Sequence, residues 1–328
     1  MINANFLKRA RQILPIAVIT AVSYKITNGL QPTYKIQDRI APKIENVTPT
    51  MAVNHKILVV DCFENSDVCI NNDDDADVPH GEVVAKILEN NLPNADIYKR
   101  SVGQSRLSLI VDVLKKSLYI PISEYSTINN LDTLFAGILK RNEKFDAINM
   151  SLGYEYPYDD LSELVGFDVN PENFREQKKR VRDSLATSSY VTNFGNSFKQ
   201  MAEVLNKMDS ITARETKFYI SAGNDGCDAL NLLALANGVE CVGSRQNNGR
   251  KKPYTERHNL VTRYENDEFP IEKTDDGYDI TGDGKTDFTF SQMAFPLTAT
   301  HEAREEPLQG TSFATPNAII KDILEFQK

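Results

Sequence analysis

Short runs of apolar, β-rich residues recur along this chain, and they constrain its fold more than anything else in it. They are "ILVV" in "HKILVVDCF" (55–63), "AINM" in "FDAINMSL" (145–152), "FYIS" in "KFYISAGN" (217–224) and the run "GVECVGS" (238–244). A strand with one wet face alternates apolar and polar residues. "ILVV" does not alternate, which predicts a strand buried on both faces. Between these runs lie segments with helical spacing. "GEVVAKILENN" (81–91) has apolar residues at 83, 84, 87 and 88, and "FKQMAEVLNKMDS" (198–210) follows the same period. The stretch 131–153 reads as a helix that feeds the strand "FDAINMSL". Strands alternating with helices predict an α/β fold, a parallel sheet with helices on both faces. In such sheets chemistry gathers at the carboxyl ends of the strands.

Asp61 follows "ILVV", Ser151 and Gly153 follow "AINM", and Asn224 follows "FYISAG". Near the end of the chain, "LQGTSFATPNAI" (308–319) sets Gly310 and Thr311 before Ser312, with a helix-like pattern and Pro316 after it. So many small residues around one hydroxyl suit a serine exposed at a helix start, where backbone approaches closely. A serine nucleophile needs a base, a carboxylate to hold the base in one tautomer, and donors for the oxyanion. Of four histidines, His80 opens a helical segment, "VPHGEVVAKIL". Alone, that placement also fits a structural or merely exposed histidine.

In chain order, "VVDCF", "HGEVVAKIL", "INMSLG", "ISAGNDG" and "GTSFATP" together resemble the subtilisin-like serine protease (subtilase) family. The resemblance implies a three-layer fold with a mostly parallel sheet and helices on both faces. It implies a catalytic triad of Asp61, His80 and Ser312, with Asn224 in the oxyanion hole. Ser151, Leu152 and Gly153 are expected to pair with an extended substrate, and Ser221, Ala222 and Gly223 to line the primary specificity pocket. The implied activity is endopeptidase cleavage of a polypeptide through an acyl-enzyme, with no cofactor required for catalysis. Two alternatives stay open: a catalytically silent binding module on this fold, and a serine hydrolase acting on non-peptide acyl groups. "ECVGS" resembles a strand that bears a bridged cysteine in some members, which implies a Cys227–Cys241 pair; Cys62–Cys69 is the other disulfide candidate.

The N-terminus speaks to compartment. Lys8, Arg9 and Arg11 precede the ten-residue apolar run "ILPIAVITAV" (13–22), with Ala21 and Ser23 at a cleavage-like position. Residues 1–23 thus read as a secretory signal peptide, otherwise as an amphipathic or buried helix. The run is too short for a membrane span. Secreted or periplasmic residence is expected, or cytoplasmic if 1–23 is not a signal. Residues 24–54 read as a lead-in, too short for an independent folding domain, and 55–328 as the catalytic domain. Export would favour the disulfides; four buried free thiols are the other reading.

With 328 residues and 41% hydrophobic content, the chain can bury a large core. Its net charge of −9 argues against a nucleic-acid partner. The basic run "KKRVR" (178–182) reads as a solvated helix face. The stretches 100–130, 154–197 and 245–305 lie outside the family blocks and read as insertions or altered loops. The helix after Ser312 is expected to be short, since the sequence stops at Lys328. In "DITGDGKTDF" (279–288), Asp279, Thr281, Asp283 and Asp287 surround Gly284. That pattern suits either a structural calcium ion or a polar glycine turn, and Phe290 replaces the acid that a full EF-hand loop would carry.

Overall fold

Each apolar run forms a strand that divides its side chains between two cores. In β1 (Lys56–Asp61), Leu58 and Val60 enter one core, while Ile57 and Val59 enter the other. This two-sided burial is why the run does not alternate apolar with polar. The computed structural model describes residues 54–61, 63, 80–102, 123–188, 193–226, 229–269, 272–289 and 308–326, and every structural statement below concerns these.

β1 pairs in parallel with β2 (Asp96–Ser101) on one side and β3 (Ala147–Met150) on the other. β5 (Lys217–Ser221), β7 (Val239–Arg245) and β8 (Arg263–Asn266) extend the sheet, giving the order β2-β1-β3-β5-β7-β8, all parallel. The chain leaves β1 toward β2 and then returns to the far side of β1 at β3. That reversal opens a crevice at the carboxyl ends of β1 and β3, where a doubly wound sheet binds its ligands.

One face is covered by α1 (His80–Asn91) and the C-terminal α6 (Thr311–Phe326). The other is covered by α2 (Ser123–Arg141), α4 (Phe174–Thr187) and α5 (Asn193–Thr212). This is the expected three-layer α/β architecture. Two small antiparallel sheets complete it: β4 (Glu155–Pro157) with β6 (Ala229–Asn231), and β9 (Glu272–Lys273), β10 (Gly277–Asp279) and β11 (Phe288–Thr289). No helix among the described residues is long and apolar enough to cross a membrane.

Three expectations change here. Residues 154–188, within the stretch read as an insertion or altered loop, are regularly structured. They form β4, α3 (Tyr158–Val165) and α4, and Tyr158, Leu161, Phe174, Val181 and Leu185 add their side chains to the core. The "KKRVR" run is only partly solvated. Lys178 Nζ donates to the Ala236 carbonyl at 2.6 Å, and Arg182 pairs with Asp209 at 2.8 Å. These long side chains tie α4 to its neighbours while their stems lie on apolar surface. The helix that carries Ser312 is not short either, running for 16 residues.

Phe135 on α2 is fully buried and meets Phe218 of β5 edge-on, with centroids 5.6 Å apart. Phe135→Ala is expected to cost about 3–5 kcal/mol, read as a fall in the urea midpoint of unfolding.

Candidate active site

Asp61 ends β1 at the mouth of the crevice, on the same face as Ile57 and Val59 and therefore toward α1. α1 begins at His80, and Gly81 behind it is buried. His80 Nδ1 lies 2.9 Å and 3.0 Å from the two carboxylate oxygens of Asp61. A carboxylate only accepts, so Nδ1 donates and Nε2 presents its lone pair. Burial by itself lowers the pKa of His80. The charge of Asp61 and the hydrogen bond to it act the other way and prevail, so the pKa stands above its ordinary value. The Asp61 side chain is 1% exposed and that of His80 16%, so this pair is shielded from solvent screening.

Ser312 occupies the first turn of α6, partly exposed. The next residue, Phe313, packs its ring 5.4 Å from the His80 ring, which brings the start of α6 against the imidazole. Pro316 has no N–H to give the carbonyl of Ser312, four residues earlier. Ser151 supplies the missing donor: its hydroxyl donates to the Ser312 carbonyl at 2.7 Å. In return the Ser312 hydroxyl donates to the Ser151 carbonyl at 3.3 Å. Asn149 Nδ2 donates to Ser151 Oγ at 2.9 Å and fixes that hydroxyl's direction. At rest the Ser312 hydroxyl therefore points at Ser151, not at His80.

Asn224 is exposed on the loop after β5. Its Oδ1 accepts from Thr311 N–H at 2.9 Å and from Thr311 Oγ1 at 3.1 Å. With the oxygen held in this way, Nδ2 is the end that faces outward. The Ser312 N–H lies in the first helical turn, where backbone donors have no intrahelical acceptor. Two donors thus stand beside one hydroxyl. Gly310, at φ 145°, lets the backbone pass Asn224 closely, in a region that side-chain-bearing residues avoid.

The two expected substrate segments face each other across this point. Ser221 Oγ donates to the Leu152 carbonyl at 3.1 Å, and Asn231 Nδ2 bridges the carbonyls of Leu152 and Ser221 at 2.9 Å and 2.7 Å. Ser151, Ser221, Ala222 and Gly223 are buried, Leu152 half-buried and Gly153 exposed.

Several site residues are not signalled by the sequence. Asp267, fully buried, accepts from the Gly310 N–H at 3.0 Å and from the Tyr254 hydroxyl, so it anchors the loop that carries Ser312. Burial raises its pKa, although these donors oppose the rise. Asp267 sits in an unmatched stretch with no motif around it. Glu155 accepts from the Asn224 N–H at 2.8 Å; its position two residues after the Ser151–Gly153 edge was the signal available.

The calcium candidates Asp279, Thr281, Asp283 and Asp287 share one turn. Asp279 Oδ1 accepts from the N–H groups of Thr281 and Gly282, and its Oδ2 from that of Gly284. Asp287 Oδ2 accepts from the N–H groups of Ile280 and Thr281, and Oδ1 from Asn90 of α1. Asp283 pairs with Lys285. The oxygens proposed for a cation therefore meet N–H donors, as in a hydrogen-bonded turn. No group of three or more His, Cys, Asp or Glu side chains able to hold a metal is found among the described residues.

The Cys227–Cys241 pairing needs correction. Cys241 is a free, fully buried thiol, lying on β7 within the apolar core. Burial first, then the charge of Glu256, push its pKa up. Cys62, Cys69 and Cys227 lie outside the described residues, as do the signal-peptide and lead-in segments up to residue 53.

The sequence profile of the Subtilase family matches residues 49–319. The chain belongs to this family of serine proteases. Similar solved structures include the self-cleaved protease domain of PatA, 15% identical over 82% of this chain and 78% of that one, with a TM-score of 0.44. A cold-adapted subtilisin-like serine proteinase is 12% identical over 86% and 81%, with a TM-score of 0.40. MycP1 from the ESX-1 type VII secretion system is 13% identical over 83% and 69%, with a TM-score of 0.45. None of the curated proteins matches the chain.

Ser151→Ala removes the donor that replaces the proline's missing N–H. The change is expected to cost about 1–3 kcal/mol, measured as a lower melting temperature.

Proposed function

We propose that this chain is a serine endopeptidase with Asp61, His80 and Ser312 as its triad. One observation carries the reading: the buried Asp61–His80 pair, bonded at 2.9 Å and 3.0 Å, opens onto the helix start that bears Ser312. When substrate binds, the Ser312 hydroxyl swings from the Ser151 carbonyl to His80 Nε2. Nε2 takes the proton as Oγ forms its bond to the scissile carbonyl carbon. The oxyanion accepts hydrogen bonds from Asn224 Nδ2 and the Ser312 N–H. Collapse breaks the carbon–nitrogen bond, and protonated His80 gives its proton to the leaving amine. A water, deprotonated by His80, then attacks the ester carbonyl, and Ser312 leaves with a proton returned from His80. Asp61 steadies the imidazolium throughout and keeps its own charge. The facing segments 151–153 and 221–223 favour an extended peptide over a compact ester, because strand-like pairing uses backbone on both sides of the cleft.

Covalent labelling by a fluorophosphonate, read by intact mass, tests the reading. One adduct on the wild type, lost in Ser312→Ala and in His80→Ala, is the expected result. A well-folded wild type that takes no adduct overturns it in favour of a silent binding module.

The raised pKa of His80 gives a second test. The base works only when neutral, so kcat/KM falls as pH drops through that pKa, with the acid limb above the ordinary 6.5. Asp61→Asn removes the charge that raises the pKa and leaves the burial that lowers it. The limb is expected to move to lower pH, with kcat down about 10⁴-fold. A flat profile between about pH 5 and 8 would contradict His80 as the base.

A further inference from the structure

The loop that carries Asn224 also carries a group of acids. We propose that the slot beside Gly223 selects a lysine or arginine as the residue before the scissile bond. The inference rests on the peptidase reading, because Asn224 is then the group that holds the carbonyl of that residue. The side chain of the same residue must enter next to Gly223, between the segments 151–153 and 221–223.

Carboxylates meet it there. A β-carbon built on Gly223 would lie 2.7 Å from Glu155 Oε1 and 2.7 Å from Glu256 Oε1, and one on Gly153 would lie 3.4 Å from Glu155 Oε1. The Glu155 carboxylate thus stands between the two walls of the slot. Gly223, at φ 117°, is the residue that leaves room for it. The backbone fixes both acids in place: Glu155 accepts from the Asn224 N–H at 2.8 Å, and the Glu256 N–H donates to the Gly223 carbonyl at 3.4 Å. Asp225, next to Asn224, hydrogen-bonds to Glu155.

Burial first, then the hydrogen bond to Asp225 and its charge, raise the pKa of Glu155 to about 7, and no Lys or Arg figures among the groups acting on it. His258 lies 3.4 Å from Glu256 and is fully buried. Burial lowers its pKa to about 4, so it adds no positive charge at neutral pH. Neither ring nitrogen of His258 has a hydrogen-bond partner among the described residues. The neutral His258 ring therefore lies beside Glu256 without offsetting its charge. An ammonium or guanidinium would bring both charge and N–H donors. A leucine side chain would desolvate the same carboxylates and return nothing.

Three probes separate the outcomes: a fluorophosphonate with no side chain to place, and peptidyl diphenyl phosphonates ending in a lysine or a leucine analogue. In each diphenyl phosphonate Ser312 Oγ would bond to phosphorus and phenoxide would leave. The lysine probe is expected to label the wild type about ten- to hundredfold faster than the leucine probe. Glu155→Gln keeps an acceptor for the Asn224 N–H and removes the charge, so it should cut that ratio about tenfold. Glu256→Gln is the second variant and should act in the same direction. Labelling by the fluorophosphonate with leucine preferred, or a lysine preference that survives both substitutions, overturns the slot and leaves the peptidase reading intact. A folded protein that none of the three labels overturns the peptidase reading, and the slot with it.

Discussion

Burial of the Asp61 carboxylate is the constraint on which the rest of the site depends. It ends a strand whose four preceding residues, Ile57 to Val60, are apolar and buried, and its side chain is 1% exposed. A carboxylate in such a place is costly unless it is hydrogen-bonded and paired. His80 meets that need from the first residue of α1, so the apolar face of α1 must pack at one register on the sheet to bring the ring into reach. Val83, Val84, Ile87 and Leu88 fix that register. Asn90, at the far end of the same helix, is held by Asp287 and Thr281. The acidic turn at 279–287 therefore positions the helix that bears His80.

A second constraint joins Ser312 to the end of β3. Pro316 leaves the Ser312 carbonyl without its helical partner, and the Ser151 hydroxyl takes that place. The start of α6 and the end of β3 are locked together at the atom next to the reacting hydroxyl. Thr311 extends the lock by accepting from the Gly223 N–H at 3.2 Å and donating to Asn224. Ser312, Asn224 and both cleft walls thus form one hydrogen-bonded body. That rigidity is what orientation of a reacting group requires.

The strands of the sheet were readable because double burial leaves an apolar run, and the helices because their faces keep a 3.6-residue period. β2 and β8 were not readable: "DIYKRS" and "RYEN" stand at the two sheet edges, and neither carries an apolar run. α4 was hidden by its charge. Its apolar residues, Phe174, Val181 and Leu185, are too widely spaced to outweigh the run of Lys and Arg between them. In the site, residues that belong to local motifs were legible, and those that reach it from afar were not. Asp267 contacts Gly310 from 43 positions away, and no short-range pattern records such a contact. The Cys227–Cys241 expectation failed for a related reason: spacing along the chain does not reveal that Cys241 faces a packed apolar layer.

Charge enters at two ranges, and they differ in consequence. A net charge of −9 attracts basic peptides in general and repels nucleic acid. At physiological salt that attraction fades beyond about 8 Å, so it speeds encounter and does little to choose among side chains. Glu155 and Glu256 act inside this screening length, with Oε1 atoms each 2.7 Å from where a β-carbon on Gly223 would lie. Partial burial keeps water from weakening their hold on a cation. A preference set by the overall charge would fade as salt rises, whereas one set in the slot would persist. The selectivity argued for this cleft is therefore a property of the two carboxylates and of the glycine that makes room for them.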